Sequence, residues 1–212
     1  MSLTRRGFLV ALPLFLAACS TRTAPTTDSG SAVLNAYAAI PHPEFPLPAL
    51  NARMIQPHLR RQEVDYDTSH AKGTLVVDTP SKYLYYVLGE GRAMRYGIGV
   101  GREGLALRGN AYVGRKAEWP GWTPTANMLR RDPEANGPYR NGVPGGLNNP
   151  LGARALYLYR GGRDTMFRIH GTNQPQSIGL AMSSGCVRML NHDVIDLYER
   201  VPSGARVVVI QA

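Results

Sequence analysis

From Gly73 onward the chain is built of short apolar runs broken by turn residues. Leu75-Val76-Val77-Asp78 and Tyr83 to Leu88, separated by Thr79-Pro80-Ser81, read as a hairpin. Ala93 to Val100, Ala111 to Lys116, Ala153 to Tyr159 and Met166 to His170 follow as further strands, the last ending on a histidine. One segment changes period. Val194, Leu197, Tyr198 and Val201 fall at i, i+3, i+4 and i+7, which predicts a helix. Asn191 reads as its cap, Asp193 suits the first-turn dipole, and Pro202-Ser203-Gly204 stops it. Ala205 to Ile210 is a final strand of β-branched residues. Residues 127–149, rich in Asn, Gly, Pro and charge, read as a loop region beside a site, with one or two helical turns over Asn127 to Arg131. The pattern is mostly β with a few short helices. The roughly 140 residues from Gly73 to the end suffice for one core.

Upstream the periodicity fades. Pro41, Pro43, Pro46 and Pro48 make an extended, non-helical stretch, and Arg60 to Tyr66 reads as a short strand leading into the domain. Residues 33–72 form an N-terminal extension that wraps the domain or spaces it from a membrane. Residues 19–32 are Ser/Thr-rich with little apolar content, a flexible tether. Residues 1–18 carry an apolar run from Phe8 to Ala18, too short to span a bilayer as a mature helix, and read as a signal peptide.

Candidate chemistry gathers in two adjoining stretches. Ile169-His170-Gly171-Thr172-Asn173 is followed by Ser183-Ser184-Gly185-Cys186-Val187-Arg188-Met189. A free thiol titrates near ~8.5 and needs a base or a positive partner to act as a nucleophile at neutral pH. A histidine is the usual partner. Taken alone, a lone cysteine is more often a small buried hydrophobe, and a lone histidine more often structural. The residues around this one alter that balance. Gly185 allows a sharp turn and open approach to the sulfur, and the backbone N–H groups of Gly185 and Cys186 are placed to face an oxyanion. If His170 activates the thiol as an ion pair, Cys186 is expected to titrate below the free value. Arg188 has a planar guanidinium suited to a carboxylate, or to an internal ion pair that locks the loop. Tyr157 and Trp122 are candidates for lining a cleft, although aromatics in strands are more often core.

Charge narrows the partners. The chain carries 24 basic and 15 acidic side chains, a formal net charge of +9. Loss of residues 1–18 removes only Arg5 and Arg6 from that balance. A basic surface suits nucleic acid, anionic lipid or a carboxylate-rich polymer. No nucleic-acid motif accompanies it. The five histidines and two cysteines show no metal-ligand spacing, so neither metal nor cofactor is expected.

The pattern His170-Gly171-Thr172, then Ser183-Ser184-Gly185-Cys186-Val187-Arg188, resembles the L,D-transpeptidase family with its YkuD-type catalytic domain. Ser184 stands where some members carry His. Trp119-Pro120-Gly121-Trp122-Thr123-Pro124, and Gly145-Gly146 through Asn149-Pro150-Leu151-Gly152-Ala153-Arg154-Ala155-Leu156, resemble the family's upstream segments. The likeness covers roughly Gly73 to the C-terminus. It implies a single β-sandwich or barrel-like catalytic domain over 73–212, with one clear helix after the cysteine. It further implies a cysteine-dependent acyltransferase acting on peptidoglycan stem peptides. Cys186 is the implied nucleophile and His170 the base. Gly171, Gly185 and Ser184 orient the base or bind the oxyanion, and the Gly171 carbonyl is expected to fix the imidazole because this residue has no side chain. Arg188, Thr172, Ser183, Tyr157 and Trp122 are expected to contact substrate. The acceptor is another stem, giving a 3→3 cross-link, or a lysine of an outer-membrane protein. With water as acceptor the enzyme is an L,D-carboxypeptidase. A non-catalytic wall-binding lipoprotein and a cysteine peptidase of another class are the competing readings. The peptidase reading is disfavoured because the histidine precedes the cysteine.

The N-terminus also carries resemblances. Thr4-Arg5-Arg6-Gly7-Phe8-Leu9 resembles a twin-arginine export signal, and Leu16-Ala17-Ala18-Cys19 resembles a lipobox. Together they imply export to the periplasm and acylation of Cys19, the multiple chains giving a stable anchor. Ser20 favours an outer membrane. An ordinary cleaved signal is the competing reading. Because Cys19 has this separate fate, a disulfide with Cys186 is not expected.

Overall fold

The computed structural model describes residues 35–101, 107–183 and 186–211. The signal, the tether and Cys19 lie outside the described residues, as do Ser184 and Gly185. Eleven strands are described: β1 (Gln62–Asp65), β2 (Leu75–Asp78), β3 (Tyr83–Gly89), β4 (Arg92–Gly97), β5 (Val100–Gly101), β6 (Gly109–Glu118), β7 (Arg154–Arg160), β8 (Arg163–His170), β9 (Ala181–Ser183), β10 (Val187–Arg188) and β11 (Arg206–Ile210). The helices are short: α1 (Ala126–Arg131), α2 (Pro133–Asn136) and α3 (Asn191–Arg200), with 3-10 turns between strands. The architecture is mostly β, as the apolar pattern predicts.

Nine strands form one sheet in the order β1-β4-β3-β2-β11-β6-β7-β8-β10, and β5 pairs with β9 in a second. The predicted hairpin is β2–β3, with Leu75 opposite Tyr86 and Asp78 opposite Tyr83. The C-terminal strand β11 inserts beside β2 in parallel and beside β6 antiparallel. That central place explains why Leu75, Val76 and Val77 are all fully buried: a strand covered on both faces reads as an unbroken apolar run. One core cluster joins Leu84 and Tyr96 to Leu156, Ile169, Val187 and Val207, with Val194 and Leu197 of α3. Gly114 lies at a bulge of β6 where any Cβ would stand 2.3 Å from the Tyr159 ring. A bulky residue there would force the strands apart.

The segment before β1 wraps the body. Tyr37, Ala52, Ile55 and Leu59 join Ile178 and Leu190 in a second core cluster. Leu59 packs on backbone at Gly97 and Gly179, where a Cβ would stand 2.5 Å from the Leu59 carbonyl oxygen and 2.8 Å from its Cδ1, respectively. Ile40 and Leu47 close the proline-rich stretch as an antiparallel bridge, and the His42 ring stacks on Phe45. Phe45 in turn meets Trp119, with ring centroids 5.1 Å apart, at the start of the 119–149 region. That region contains α1, capped by Thr125, and α2, capped by Asp132.

The sequence pattern misplaces one cap. The N-cap of α3 is Leu190, which makes no side-chain cap hydrogen bond, and Asn191 is the first helical residue with its side chain engaged elsewhere. Asp193 is fully buried. Its carboxylate accepts from the Tyr37 hydroxyl at 3.4 Å and lies 3.9 Å from Arg61, which also reaches Asp196 at 3.0 Å. The Tyr37 hydroxyl takes the Arg61 backbone N–H at 2.8 Å, and His192 Nε2 donates to the Ala38 carbonyl at 3.0 Å. The wrapping segment is therefore fastened to α3 by buried polar groups as well as by apolar contact.

Burial pushes the Asp193 carboxyl up to about 7, against the pull of Arg61 and Tyr37. Between its ordinary acidic range and pH 7 the folded chain thus holds a proton that the unfolded chain releases, so this group's contribution to stability falls as pH rises through that window. The melting temperature of Asp193→Asn minus that of wild type should therefore increase from pH 4 to pH 8. A flat or falling difference refutes the assignment.

Candidate active site

Strand β8 delivers His170 at its last position, and β10 follows Cys186 at once. The two strands pair in parallel, with Val187 opposite Ile169 and Arg188 opposite His170. Ile169 and Val187 point into the core, both at most 9% exposed. Strand alternation then sends Arg168, His170 and Arg188 to the other side, and Cys186, one step before Val187, joins them beside Arg168. The register thus sets Arg188 opposite His170, with Cys186, sixteen positions after His170 in the chain, at the entry to the same strand. It also adds Arg168, which the sequence reading missed. The available signal was period two counted back from His170.

His170 is 4% exposed, and its Nδ1 lies 2.6 Å from the carbonyl of Gly171. A carbonyl only accepts, so Nδ1 carries the proton and Nε2 keeps a lone pair. Gly171 therefore contacts the imidazole in the way expected of it. Burial lowers the imidazole to about 4. The Gly171 hydrogen bond opposes that shift, and the nearby Arg188 and Arg168 charges add to it.

Burial likewise raises the Cys186 thiol above its ordinary value. An Arg168 backbone hydrogen bond and the Arg168 and Arg188 charges pull the other way without reversing the shift. The expectation of a depressed thiol fails here. Cys186 as a residue is partly exposed, but its sulfur borders a cavity of about 10 Å³ walled by Val100, Leu107, Phe167 and Val187. Such a space holds at most about one water, too little to solvate a thiolate. At neutral pH the thiol and the imidazole are therefore both uncharged.

Arg168 owes its position to an irregularity in β8. Tyr157 faces Arg168 and Tyr159 faces Asp164, so β8 spends two more residues than β7 over the same span. Met166 sits in that bulge with φ +64° and its side chain 62% exposed, and its carbonyl lies 4.0 Å from the cysteine sulfur. The fold-back lets Arg168 meet Asp164 through two hydrogen bonds, at 2.7 and 2.9 Å. Asp164 is held below its ordinary range, the Arg168 contact and the Met166 N–H outweighing the effect of burial. The Arg168 guanidinium lies 4.3 Å from the Tyr157 ring centre, and Arg115 lies 3.6 Å from it. Tyr157 is thus a buried plate between two cations, one of which backs the thiol.

The other candidates are placed as follows. Thr172 is buried; its hydroxyl accepts from Gln174 N–H at 3.0 Å and its own N–H goes to Asn191. Arg188 is half-buried and reaches Gln174 Oε1 at 3.4 Å. Ser183 ends β9 opposite Gly101. Trp122 bridges to Val143 in the 119–149 region and meets Tyr139 edge to face. Ser184 and Gly185, named for the oxyanion site, lie outside the described residues. Among the described residues no group of three or more His, Cys, Asp or Glu side chains is arranged to hold a metal ion.

A family model described as the L,D-transpeptidase catalytic domain, YkuD, matches residues 72–209. The probable L,D-transpeptidase YbiS of Escherichia coli (strain K12) is 38% identical over 143 residues, which is 66% of this chain and 45% of that protein. The probable L,D-transpeptidase ErfK/SrfK of Salmonella typhimurium (strain LT2) is 31% identical over 208 residues, 95% of this chain and 64% of that protein. The chain therefore spans between about half and two thirds of the length of these relatives. A solved structure from Brucella melitensis, described as a probable carnitine operon oxidoreductase, is 49% identical. It covers 76% of this chain and 99% of its own, with a TM-score of 0.51. The activity in that description is one that neither the family model nor the two curated relatives carry.

A neutral thiol alkylates only as fast as its small thiolate fraction allows. The rate of iodoacetamide reaction at Cys186 should therefore climb continuously through and beyond the ordinary thiol range. A rate that has already reached a plateau at pH 6 would show a resting ion pair instead.

Proposed function

Because the chain belongs to the L,D-transpeptidase catalytic-domain family, we propose that it is a cysteine acyltransferase acting on the tetrapeptide stems of peptidoglycan. The observation that supports this reading is the β8–β10 register, which pairs the strand following Cys186 with the strand that ends on His170, whose Nδ1 is already committed to Gly171. Nε2 then takes the thiol proton as Sγ attacks the carbonyl of the diamino acid at the third position of the stem. The developing oxyanion faces the backbone N–H groups of Gly185 and Cys186. The protonated imidazole returns its proton to the departing amine, and the terminal D-Ala leaves. An S-acyl thioester remains on the enzyme.

In the second half an amine attacks the thioester, His170 again accepting a proton, and the thiol is released. An amine of another stem gives a 3→3 cross-link, and a lysine of an outer-membrane protein gives a wall-tethered protein. Arg188, with Arg168 behind the thiol, supplies positive charge to a substrate rich in carboxylates. Residues 73–212 form the catalytic domain, with Thr172, Ser183, Ser184, Tyr157 and Trp122 as its remaining substrate-facing or supporting candidates. Residues 1–18 direct export to the periplasm. Cys19 is acylated, and residues 20–32 tether the domain to the membrane, the outer one by the identity of Ser20. Among the described residues no helix is long and apolar enough to cross a membrane.

The test is incubation of the purified protein with disaccharide tetrapeptides, followed by mass analysis of protein and products. An acyl mass on Cys186 with 3→3 dimers supports the transferase, whereas free tripeptide alone replaces it with a carboxypeptidase. Cys186→Ala should abolish turnover, and His170→Ala should lower it by about 10²–10⁴-fold, the usual weight of general acid–base catalysis. Turnover near the wild-type rate in either variant refutes the dyad. Separately, Cys19→Ala should move the protein from membrane to soluble periplasmic fractions. Unchanged fractionation, or a native N-terminus without acyl mass, refutes the anchor.

A further inference from the structure

Asn191 reads from the sequence as a helix cap, and the structure gives its side chain another task. Its Oδ1 accepts the N–H of Ala153 at 2.9 Å and the N–H of Thr172 at 3.2 Å. Thr172 N and the Gly171 carbonyl belong to one peptide unit. No described peptide bond is cis, and a trans peptide is planar with its N–H and C=O pointing opposite ways. Holding the N–H toward Asn191 therefore aims the carbonyl away from it, and on that other side lies His170 Nδ1 at 2.6 Å. Donation by the N–H also polarises the peptide and makes its carbonyl a stronger acceptor.

The slot that receives the amide oxygen is made by glycine. A Cβ on either Gly152 or Gly171 would stand 2.2 Å from Asn191 Oδ1. Both strand ends around it are tied as well. Gly171 N–H donates to the Arg154 carbonyl at 3.0 Å, and Met189 N–H donates to the His170 carbonyl at 2.8 Å. Asn191 thus sits where the end of β8, the start of β7 and the chain leaving Cys186 converge.

We propose that Asn191 is a positioning residue of the Cys186–His170 pair: its amide oxygen fixes the Gly171–Thr172 peptide, so that the Gly171 carbonyl holds the imidazole in its Nδ1–H tautomer with Nε2 turned to the thiol. This rests on the acyltransferase reading for its catalytic consequence and on geometry alone for its tautomer. Asn191 does not touch substrate; it acts through one peptide plane.

The experiment joins imidazole nitrogen NMR of 15N-histidine-labelled full chain to steady-state kinetics on disaccharide tetrapeptides. His170→Ala assigns the His170 signals among the five histidines. Wild type should show Nδ1 protonated and Nε2 bare. Asn191→Ala should mix the tautomers and lower kcat about 10- to 100-fold, the scale on which loss of an outer hydrogen-bond partner acts, with KM within about twofold. Asn191→Asp keeps an acceptor for both N–H groups and should restore the single tautomer and bring kcat back to within a few-fold of wild type. A folded Asn191→Ala that keeps the wild-type tautomer overturns the proposal, whatever its activity, and so does an Asn191→Asp that matches Asn191→Ala in both readouts. If the tautomer responds as stated while wild type processes no stem peptide, the acyltransferase reading falls and the positioning role stands.

Discussion

The two-residue parallel pairing of β10 with β8 is the contact on which this molecule depends. It is the shortest strand pair of the main sheet, with only Val187 and Arg188 opposite Ile169 and His170. Two bonded residues hold little by themselves, so the pairing persists because its surroundings over-determine it. Ile169 and Val187 lock one side of it into the core. Met189 N–H closes on the His170 carbonyl, and the Gly99 and Arg188 backbones exchange hydrogen bonds at 2.8 and 2.9 Å. That last exchange ties β10 to the segment leading into β5, so the pair is gripped from both flanks. A one-residue slip of β10 would turn Arg188 inward and Val187 outward, which the apolar core forbids.

The same logic gives the wrapping segment a structural purpose. Leu59 rests on Gly97 and Gly179, and Ile178 and Leu190 come from the segments on either side of β9 and β10. Tyr37 and Arg61 grip Asp193 and Asp196 on α3, while the first residue of that helix is Asn191. Helix α3 is thus held at one face by the N-terminal segment and presents, at its start, the amide that ties down the His170 loop. A buried carboxylate is costly to desolvate, and Asp193 bears that cost beside a single arginine and a tyrosine hydroxyl. Loss of either partner leaves a charge with poor compensation, so the segment and the helix are expected to dock or loosen together.

Much of this was legible in the chain. The hairpin, the final β-branched strand and the helix periodicity follow from local rules, and each is present. The His170 and Cys186 stretches stood out as candidates because sharp turns and reactive groups demand particular residues, and the structure pairs the strands that carry them. What was not legible depends on partners far apart in sequence. Asn191 satisfies every local rule for a cap, and only the approach of Gly152 and Gly171 reveals where its oxygen goes. Arg168 became part of the site through a two-residue bulge that no apolar pattern records. The thiol was misjudged for the same kind of reason. A neighbouring histidine argues for a thiolate, but the walls beside Cys186 come from residues far apart in the chain, among them Val100 of β5, Phe167 of β8 and Val187 of β10.

That neutral resting pair bears on how the chemistry must proceed. An ion pair stores its nucleophile before substrate arrives, whereas a thiol beside a neutral imidazole stays quiescent until proton transfer and attack occur together. Low pH is then no route to activation, because an imidazole depressed to about 4 remains a free base through the whole neutral range. The positive charges of Arg168 and Arg188 resist forming imidazolium next to them, yet they favour the anionic sulfur and the oxyanion that follow. The site therefore trades a weaker base for a better-stabilised anion. If the substrate carries carboxylates, as the proposed function requires, they would screen the arginines from the imidazole. In the proposed reaction, a substrate that arrives with negative charge would raise the basicity of His170 as it binds, and the arginines that hold the imidazole neutral in the free chain would then take part in recognising it.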